Sequence, residues 1–490
     1  MRDAQTGKKG ELKRSTLLQV LIPIIIGLII AFVIPNPANL PLNAWYYFAI
    51  FVTIILSVAL EALPMGAIGI IGISGIALLG ILDKPGKDVL TWALSGFSNS
   101  VVWLVFAAMI FAVALKNTGI GRRIALFFIK VMGKTALGLG YAISLADFCL
   151  GPFMPSNTAR SFGTMYPIAR ATAEALDSHP GESAGKIGSF LLFTSFTATF
   201  ISSSTFLTAA AMTVLGIQYI ADATGLPAIT WMQYLYGFIP QAIIVLIITP
   251  LIAYKFFPPE IKKFPEAPVW AKEQLKEMGK LTRNEILTLI IFLCALFAWI
   301  FMHDTMPPAM VAIMAVGGML LTGVINWEQI LEEKSAWNIV IVLGTLITLA
   351  NGLKDVGFLA WVSEASAAYL VGLALSPVVI IILLALIDYL LHYLYVSITA
   401  HVTTLMPLWL AVVSAIPGFP VQLFGMVLIH TKEGFGAMTP YGAGHGVGYL
   451  LSGYFPDHKK FWVAESAWAY TYLALMFLSI PYWIWLYGWQ

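Results

Sequence analysis

The chain has 490 residues, of which 59% are hydrophobic and only 11% charged, and its mean hydropathy is +0.85. A soluble protein carries about 25% charged residues, so most of this surface is expected to face lipid rather than water. The 27 basic and 25 acidic residues leave a net charge of +2, too balanced for a nucleic-acid binder. The two cysteines, Cys149 and Cys294, lie in apolar runs and exclude a disulfide framework or a zinc site.

Taken in chain order, Arg2, Lys8, Lys9, Lys13 and Arg14 precede a first apolar segment at 16–35. That segment ends Ala31-Phe32-Val33-Ile34-Pro35, without a small-x-small cleavage site, and reads as an uncleaved helix rather than a signal peptide. Further spans are predicted over 43–61, 64–82, 98–128, 186–217, 232–256, 284–303, 307–323, 336–366, 422–450 and 462–488. Each exceeds or approaches the roughly 20 residues a membrane-crossing helix needs. Two more apolar stretches, 136–172 and 374–415, carry a polar break in the middle and read as re-entrant hairpins. The interval from Lys255 to Glu285 holds twelve charged residues, seven of them basic. Counted over short loops, the Lys and Arg distribution predicts a cytoplasmic N-terminus and an extracellular C-terminus. The short polar tails suggest a bacterial plasma membrane.

The hairpin stretches repeat at an offset of 241 residues. Asp147 aligns with Asp388, Leu150 with Leu391, Ser156-Asn157-Thr158-Ala159 with Ser397-Ile398-Thr399-Ala400, and Met165 with Met406. The same offset carries the span starting near Asn43 onto the one starting near Asn284. An odd number of crossings per unit makes the second copy upside down, the architecture of secondary transporters. The expected division is 1–42 tail and first helix, 43–256 first inverted repeat, 257–283 cytoplasmic linker, and 284–490 second inverted repeat. The fold class is thus an all-α polytopic membrane protein of about eleven spans, each repeat with one hairpin and one broken helix.

Prolines 152 and 155 stop the first hairpin arm, and a Ser or Asn can cap the helix that restarts beyond them. Free N–H groups and a positive helix end would make each tip an anion site. Two further breaks are expected, one at Ser202-Ser203-Ser204-Thr205 and one at Thr439-Pro440-Tyr441-Gly442, where Thr439 would cap and Pro440 would begin a helix.

These motifs resemble the divalent anion/sodium symporter family, marked by a Ser-Asn-Thr motif at each of two hairpin tips. Ser156-Asn157-Thr158 matches in full, and the second tip departs at Ile398. Ser203-Ser204-Thr205-Phe206-Leu207-Thr208 and Thr439-Pro440 resemble that family's broken-helix motifs, although Met212-Thr213 stands where an Asn-Pro is usual. The resemblance spans essentially the whole chain. It implies a homodimer in which a moving transport part carries di- or tricarboxylates such as succinate, malate, 2-oxoglutarate, tartrate or citrate.

One departure bears on mechanism. Where sodium-coupled relatives have small neutral residues after each tip, this chain has Arg160 and His401, again 241 apart. A permanent guanidinium repels a sodium ion, so Arg160, and His401 when protonated, are expected to replace the cation as positive partners of the substrate. An unloaded site carrying unpaired charge crosses a membrane poorly, which favours obligate exchange by an elevator-type movement. The structural reading of the same residues is that Arg160 pairs with Asp147 or Glu174, while Asp147 and Asp388 brace the hairpin arms. The expected substrate site is Ser156, Asn157, Thr158, Arg160, Ser203, Ser204, Ser397, Thr399, His401, Thr439 and Pro440. A sodium-coupled symporter and an anion channel are the competing functions. No cofactor, metal or nucleic acid is expected, and no enzymatic activity. Gly181-Glu182-Ser183-Ala184-Gly185 imitates a hydrolase elbow but lacks the strand and helix that motif needs. The seven histidines show no metal-ligand spacing; His392, His430 and His445 lie in or beside the proposed transport region, where one could reach substrate.

Overall fold

The computed structural model describes residues 14–60, 62–154, 156–395 and 397–488. Arg2, Lys8, Lys9, Lys13 and Pro155 lie outside the described residues. Every named element is helical; among the described residues the one β-type contact is an isolated antiparallel bridge between Thr135 and Lys263. The chain divides into two compact units, residues up to 99 with 341–365, and residues 100–340 with 366 onward.

The first unit holds α1 (Arg14–Phe32), α2 (Leu42–Ala59), α3 (Met65–Leu78) and α4 (Gly86–Ser95). The second begins with α5 (Ser100–Thr118), α6 (Ile120–Met132), α7 (Ala136–Leu150), α8 (Asn157–Arg160), α9 (Tyr166–Ala175), α10 (Gly188–Thr205) and α11 (Ala211–Thr224). It continues with α12 (Trp231–Phe256), α13 (Glu266–Glu277), α14 (Arg283–Phe301), α15 (Pro308–Thr322) and α16 (Trp327–Glu332). The chain of α17 (Lys334–Asp355) passes into the first unit at Ile341, and that of α18 (Phe358–Gly372) returns after Ala365. The last elements are α19 (Pro377–Leu391), α20 (Ile398–Ser414), α21 (Val421–Phe435), α22 (Gly446–Leu450), α23 (His458–Leu478) and α24 (Ile480–Tyr487).

Within the first unit, small residues let backbones approach closely, as expected where lipid removes the hydrophobic drive between helices. A Cβ on Gly96 would lie 2.0 Å from the carbonyl oxygen of Gly344. The space it leaves lets the Gly96 amide reach Thr348 Oγ1 at 3.0 Å. Tyr47 donates to the Leu349 carbonyl at 2.8 Å, and Phe48 stacks on Phe358 with ring centroids 4.4 Å apart.

In the second unit the predicted span 98–128 is two helices, because Gly119 takes φ +78°, a conformation that favours glycine. The interval expected to be a plain linker contains α13. Arg123 of α6 donates to Glu285 at 2.6 Å and to the Met278 and Gly279 carbonyls at 3.1 and 3.0 Å. Capping boxes Thr230/Gln233, Thr282/Glu285 and Asn326/Gln329 start α12, α14 and α16, each satisfying otherwise orphaned N–H groups.

Among the described residues, seven helices are by length and composition suited to crossing a membrane, or eight if α23 and α24, bent by 45°, form one span. The sequence expectation of about eleven counted shorter apolar helices such as α3, α15 and α18, and treated broken pairs as continuous. The 241-residue repeat is present in the backbone boundaries. Residues 136 and 377, 150 and 391, and 157 and 398 begin or end matching elements, with a single 3-10 turn between the arms in each copy.

Candidate functional site

The two tips are built alike from different sequences. In the first, α7 ends in a 3-10 turn at Gly151–Phe153; Met154 and Ser156 are extended, and the Ser156 hydroxyl accepts from the Ala159 amide at 3.3 Å. In the second, α19 ends in a turn at His392–Leu394; Tyr395 and Ser397 are extended, and Ser397 accepts from Ala400 at 3.3 Å. The serine side chain is the N-cap in both. This explains why Ser is common to the tips while the following residue, Asn157 or Ile398, varies.

Both tips open onto one cavity of about 560 Å³ in the second unit, within the roughly 300–1,000 Å³ typical of small-molecule sites. Ser156, Asn157 and Thr158 line it from the first tip, and Ser397, Ile398 and Thr399 from the second. Ala211 and Met212 at the start of α11, Lys334, Ser335 and Asn338 at the start of α17, and Ala443 to His445 complete the polar and small parts of the wall. The opening residues of α11, α17 and α20 thus face one space, and helix N-termini favour anions. Among the described residues lining it there is no Asp or Glu; Lys334 is the charged side chain, exposed and without an ion-pair partner.

Five expected site residues, Ser156, Asn157, Thr158, Ser397 and Thr399, therefore meet in this cavity. The other six lie elsewhere. Arg160 is fully buried behind the first tip. Its Nε donates to Asp147 at 3.2 Å, Nη1 to the Met154 and Ala209 carbonyls at 2.5 and 3.2 Å, and Nη2 to the Thr199 carbonyl and hydroxyl at 2.9 and 3.0 Å. Nη2 also donates to Ser203 Oγ. All five N–H donors of the guanidinium are used, so it has none left for a substrate carboxylate in this conformation.

His401 is likewise committed. Its Nε2 lies 2.9 Å from Asp388 Oδ1 and its Nδ1 2.9 Å from His392 Nδ1, while His392 Nε2 reaches the Gly442 carbonyl at 2.9 Å. Asp388 also accepts from Trp409 Nε1 at 2.6 Å. The copies are chemically parallel: the group after each tip joins the aspartate of the preceding helix to a backbone carbonyl in a broken segment, directly for Arg160 and through His392 for His401. Asp147 and Asp388 brace the arms, as the sequence suggested.

Ser203 donates to Asn157 Oδ1, and Asn157 Nδ2 donates to Glu433 at 2.8 Å, which accepts from Lys432 at 3.0 Å. A line of alternating groups therefore runs Asp147, Arg160, Ser203, Asn157, Glu433, Lys432. Its four formal charges cancel. Ser204 pairs with Tyr472 OH at 2.5 Å, wholly buried. The first break lies one turn later than expected. Thr205 donates to the Ile201 carbonyl at 2.7 Å, α10 continues through the Ser/Thr run, and the α-helix is interrupted from Phe206 to Ala210, extended at both ends around a 3-10 turn at Leu207–Ala209. The second break also differs: α21 stops at Phe435 and the helix restarts at Gly446, not Pro440. Thr439 is buried without a hydrogen-bond partner, and Pro440 lines a separate hollow with Tyr441, Leu450 and Trp462. Among the cavity residues outside the expected set are Lys334 and His445, the latter named only as a histidine that could reach substrate.

The all-helical fold, with spans long and apolar enough to cross a membrane and one cavity shared by two serine-capped tips, is that of a polytopic membrane protein, and comparison with known proteins assigns it to a family of transporters rather than enzymes. A family model described as "Sodium:sulfate symporter transmembrane region" matches residues 14–489. The chain belongs to this family, which is the one the tip motifs resemble. It is 37% identical over 480 residues to the citrate/succinate antiporter of Escherichia coli K12, covering 95% of this chain and 98% of that protein. It is 36% identical over 478 residues to the L-tartrate/succinate antiporter of the same strain, covering 95% and 97%. Two solved structures share the fold at low identity. The Alcanivorax borkumensis YdaH transporter has a TM-score of 0.56 at 14% identity over 81% of this chain and 88% of that one. Neisseria gonorrhoeae MtrF has 0.55 at 13% over 96% and 94%.

Proposed function

We propose that this protein is a secondary transporter that exchanges di- and tricarboxylates such as succinate, malate, 2-oxoglutarate or citrate, without sodium, by an elevator-type movement of its substrate site. The observation that carries the reading is the cavity shared by both tips: several helix N-termini and one lysine face it, and no described carboxylate does. Its two relatives are named as antiporters of succinate against a second carboxylate.

Sodium independence is supported by where Arg160 sits. Unwound backbone carbonyls near broken helices are the groups that ligate sodium in transporters. Here the carbonyls of Met154, Ala209 and Thr199 are held by the guanidinium. In the second copy the His392–His401 pair ties Gly442 to Asp388. The built-in groups thus act as fixed struts behind the tips, and the direct substrate contacts are Ser156, Asn157, Thr158, Ser397 and Thr399. Ser203 supports Asn157 from behind, and Ser204, Thr439 and Pro440 take no direct part.

Obligate exchange follows from charge. Closing the cavity over an unpaired ammonium and several bare helix ends strips their hydration, and a charge held in the membrane costs about 2.5–3.5 kcal/mol even on the mild insertion scale. A bound dicarboxylate offsets that cost, so the loaded form is the one that crosses. The reading further comprises a homodimer, two inverted repeats with re-entrant hairpins, divided at 43–256 and 284–490, a cytoplasmic N-terminus and an extracellular C-terminus. In liposomes, uptake of labelled succinate should require unlabelled dicarboxylate inside. Equal uptake into empty vesicles contradicts exchange and favours a channel or uniporter.

A further inference from the structure

The proposed reading leaves the substrate's charge without a specific partner, because Arg160 and His401 are fully hydrogen-bonded inside the protein. Two side chains on the cavity wall are not. Lys334 begins α17, is exposed to the cavity, and has no ion-pair partner among the described residues. His445 also lines the cavity, is 1% exposed, and neither ring nitrogen has a hydrogen-bond partner.

The His445 ring is held by aromatic packing alone. It lies 5.3 Å from Phe196 and 5.4 Å from Phe200, centroid to centroid. Its backbone is held beside the first tip: a Cβ placed on neighbouring Gly444 would stand 3.2 Å from Thr158 Oγ1. A buried polar group without a partner is costly, and an imidazole in either neutral tautomer presents one N–H to an acceptor. The acceptor-only group that suits this wall is a carboxylate. Lys334 offers a compact charge on a flexible four-carbon stem, able to follow a second carboxylate at a range of separations.

Resting on the exchange reading above, we infer that Lys334 and His445 anchor the two carboxylates of a linear dicarboxylate, with the tip hydroxyls of Ser156, Thr158, Ser397 and Thr399 completing the contacts. The two anchors differ in kind. His445 is a rigid, deep donor wedged between phenylalanines, whereas Lys334 is an exposed, mobile charge. The rigid anchor fixes one carboxylate, and the mobile one admits diacids of different length and substitution.

The test uses purified full-length protein in liposomes preloaded with succinate, following labelled succinate entry over a concentration series. H445F keeps an aromatic ring against Phe196 and Phe200 but removes both nitrogens. It should raise the KM for succinate about tenfold or more while the maximal exchange rate stays within about twofold. H445Q, which keeps donor and acceptor atoms, should recover part of that loss. K334Q should raise KM to a similar degree, and K334R should stay within about threefold of the parent. If H445F does not fold, the H445Q and K334 series and the succinate-induced rise in Tm of detergent-solubilised protein decide the matter. Unchanged KM in H445F and K334Q overturns the inference. So does a fall in maximal rate at constant KM, which is the mark of a purely structural residue. Should the parent protein show no dicarboxylate exchange at all, the exchange reading itself fails and this inference falls with it; parental exchange with unaltered variants removes the anchors alone.

Discussion

Arg160 and Asp147 are both fully buried, and each has the other as its opposite charge. Removing one partner of such a pair leaves an uncompensated charge and typically costs about 3–5 kcal/mol. Asp147→Asn and Arg160→Ala should therefore each lower the Tm markedly, read by intrinsic fluorescence in detergent. The second copy should be more tolerant. Asp388→Asn leaves an amide that His401 and Trp409 can still hydrogen-bond, so its Tm should fall by less than half as much; an equal fall contradicts the greater tolerance of the second copy. Sequence showed that Arg160 and His401 were matched and unusual, but not which way they point. Both follow a tip by one helical turn, and a helical position is compatible with facing the cavity or the protein behind it. The decisive factor is supply of acceptors: Met154, Thr199 and Ala209 offer three carbonyls on the buried side.

At the scale of the elements, the tips were legible because their chemistry is local. A Ser that is itself extended and stands before a helix caps that helix, and the 241-residue offset marks both copies. The breaks were less legible. Ser202 to Thr205 look like a helix breaker, yet Ser202 and Thr205 bond back to the Thr199 and Ile201 carbonyls within the helix, Ser203 and Ser204 bond to Asn157 and Tyr472, and the helix stays intact. The second break spans 436–445 and contains the expected Thr439 to Gly442, but its helix restarts at Gly446 rather than Pro440. A Cβ on Gly446 would stand 2.3 Å from the Pro440 carbonyl oxygen, so the turn there depends on the missing side chain. Lys334 carries no signal of its own, since a loop lysine and one opening into a cavity look the same in sequence. Ser156→Ala and Ser397→Ala should each lose a cap bond of about 1 kcal/mol and slow exchange by similar factors in proteoliposomes. A strong effect at one tip alone contradicts their equivalence. Gly444→Ala pushes against Thr158 and should slow exchange without lowering Tm by more than a few degrees.

Across the whole molecule, the apolar composition is accounted for by large side chains left outside the packed core. Phe32, Leu78, Leu321 and Trp485 are 73%, 87%, 90% and 76% exposed, a surface suited to hydrocarbon. The helical fold and the family were thus legible from composition and the tip motifs. Where the helices break was not, because hydropathy does not register where an apolar run turns, as at Gly119. If the protein is a homodimer, light scattering after subtraction of detergent should give twice the 53.4 kDa chain mass; a monomeric mass contradicts that part of the account. The central claim is that built-in groups occupy the places where a coupling cation would bind. Its most direct test is succinate–succinate exchange in liposomes, with the same buffer prepared free of sodium and with 100 mM sodium replacing choline. The account predicts equal initial rates in the two conditions. A rate that is negligible without sodium and rises with its concentration would contradict it.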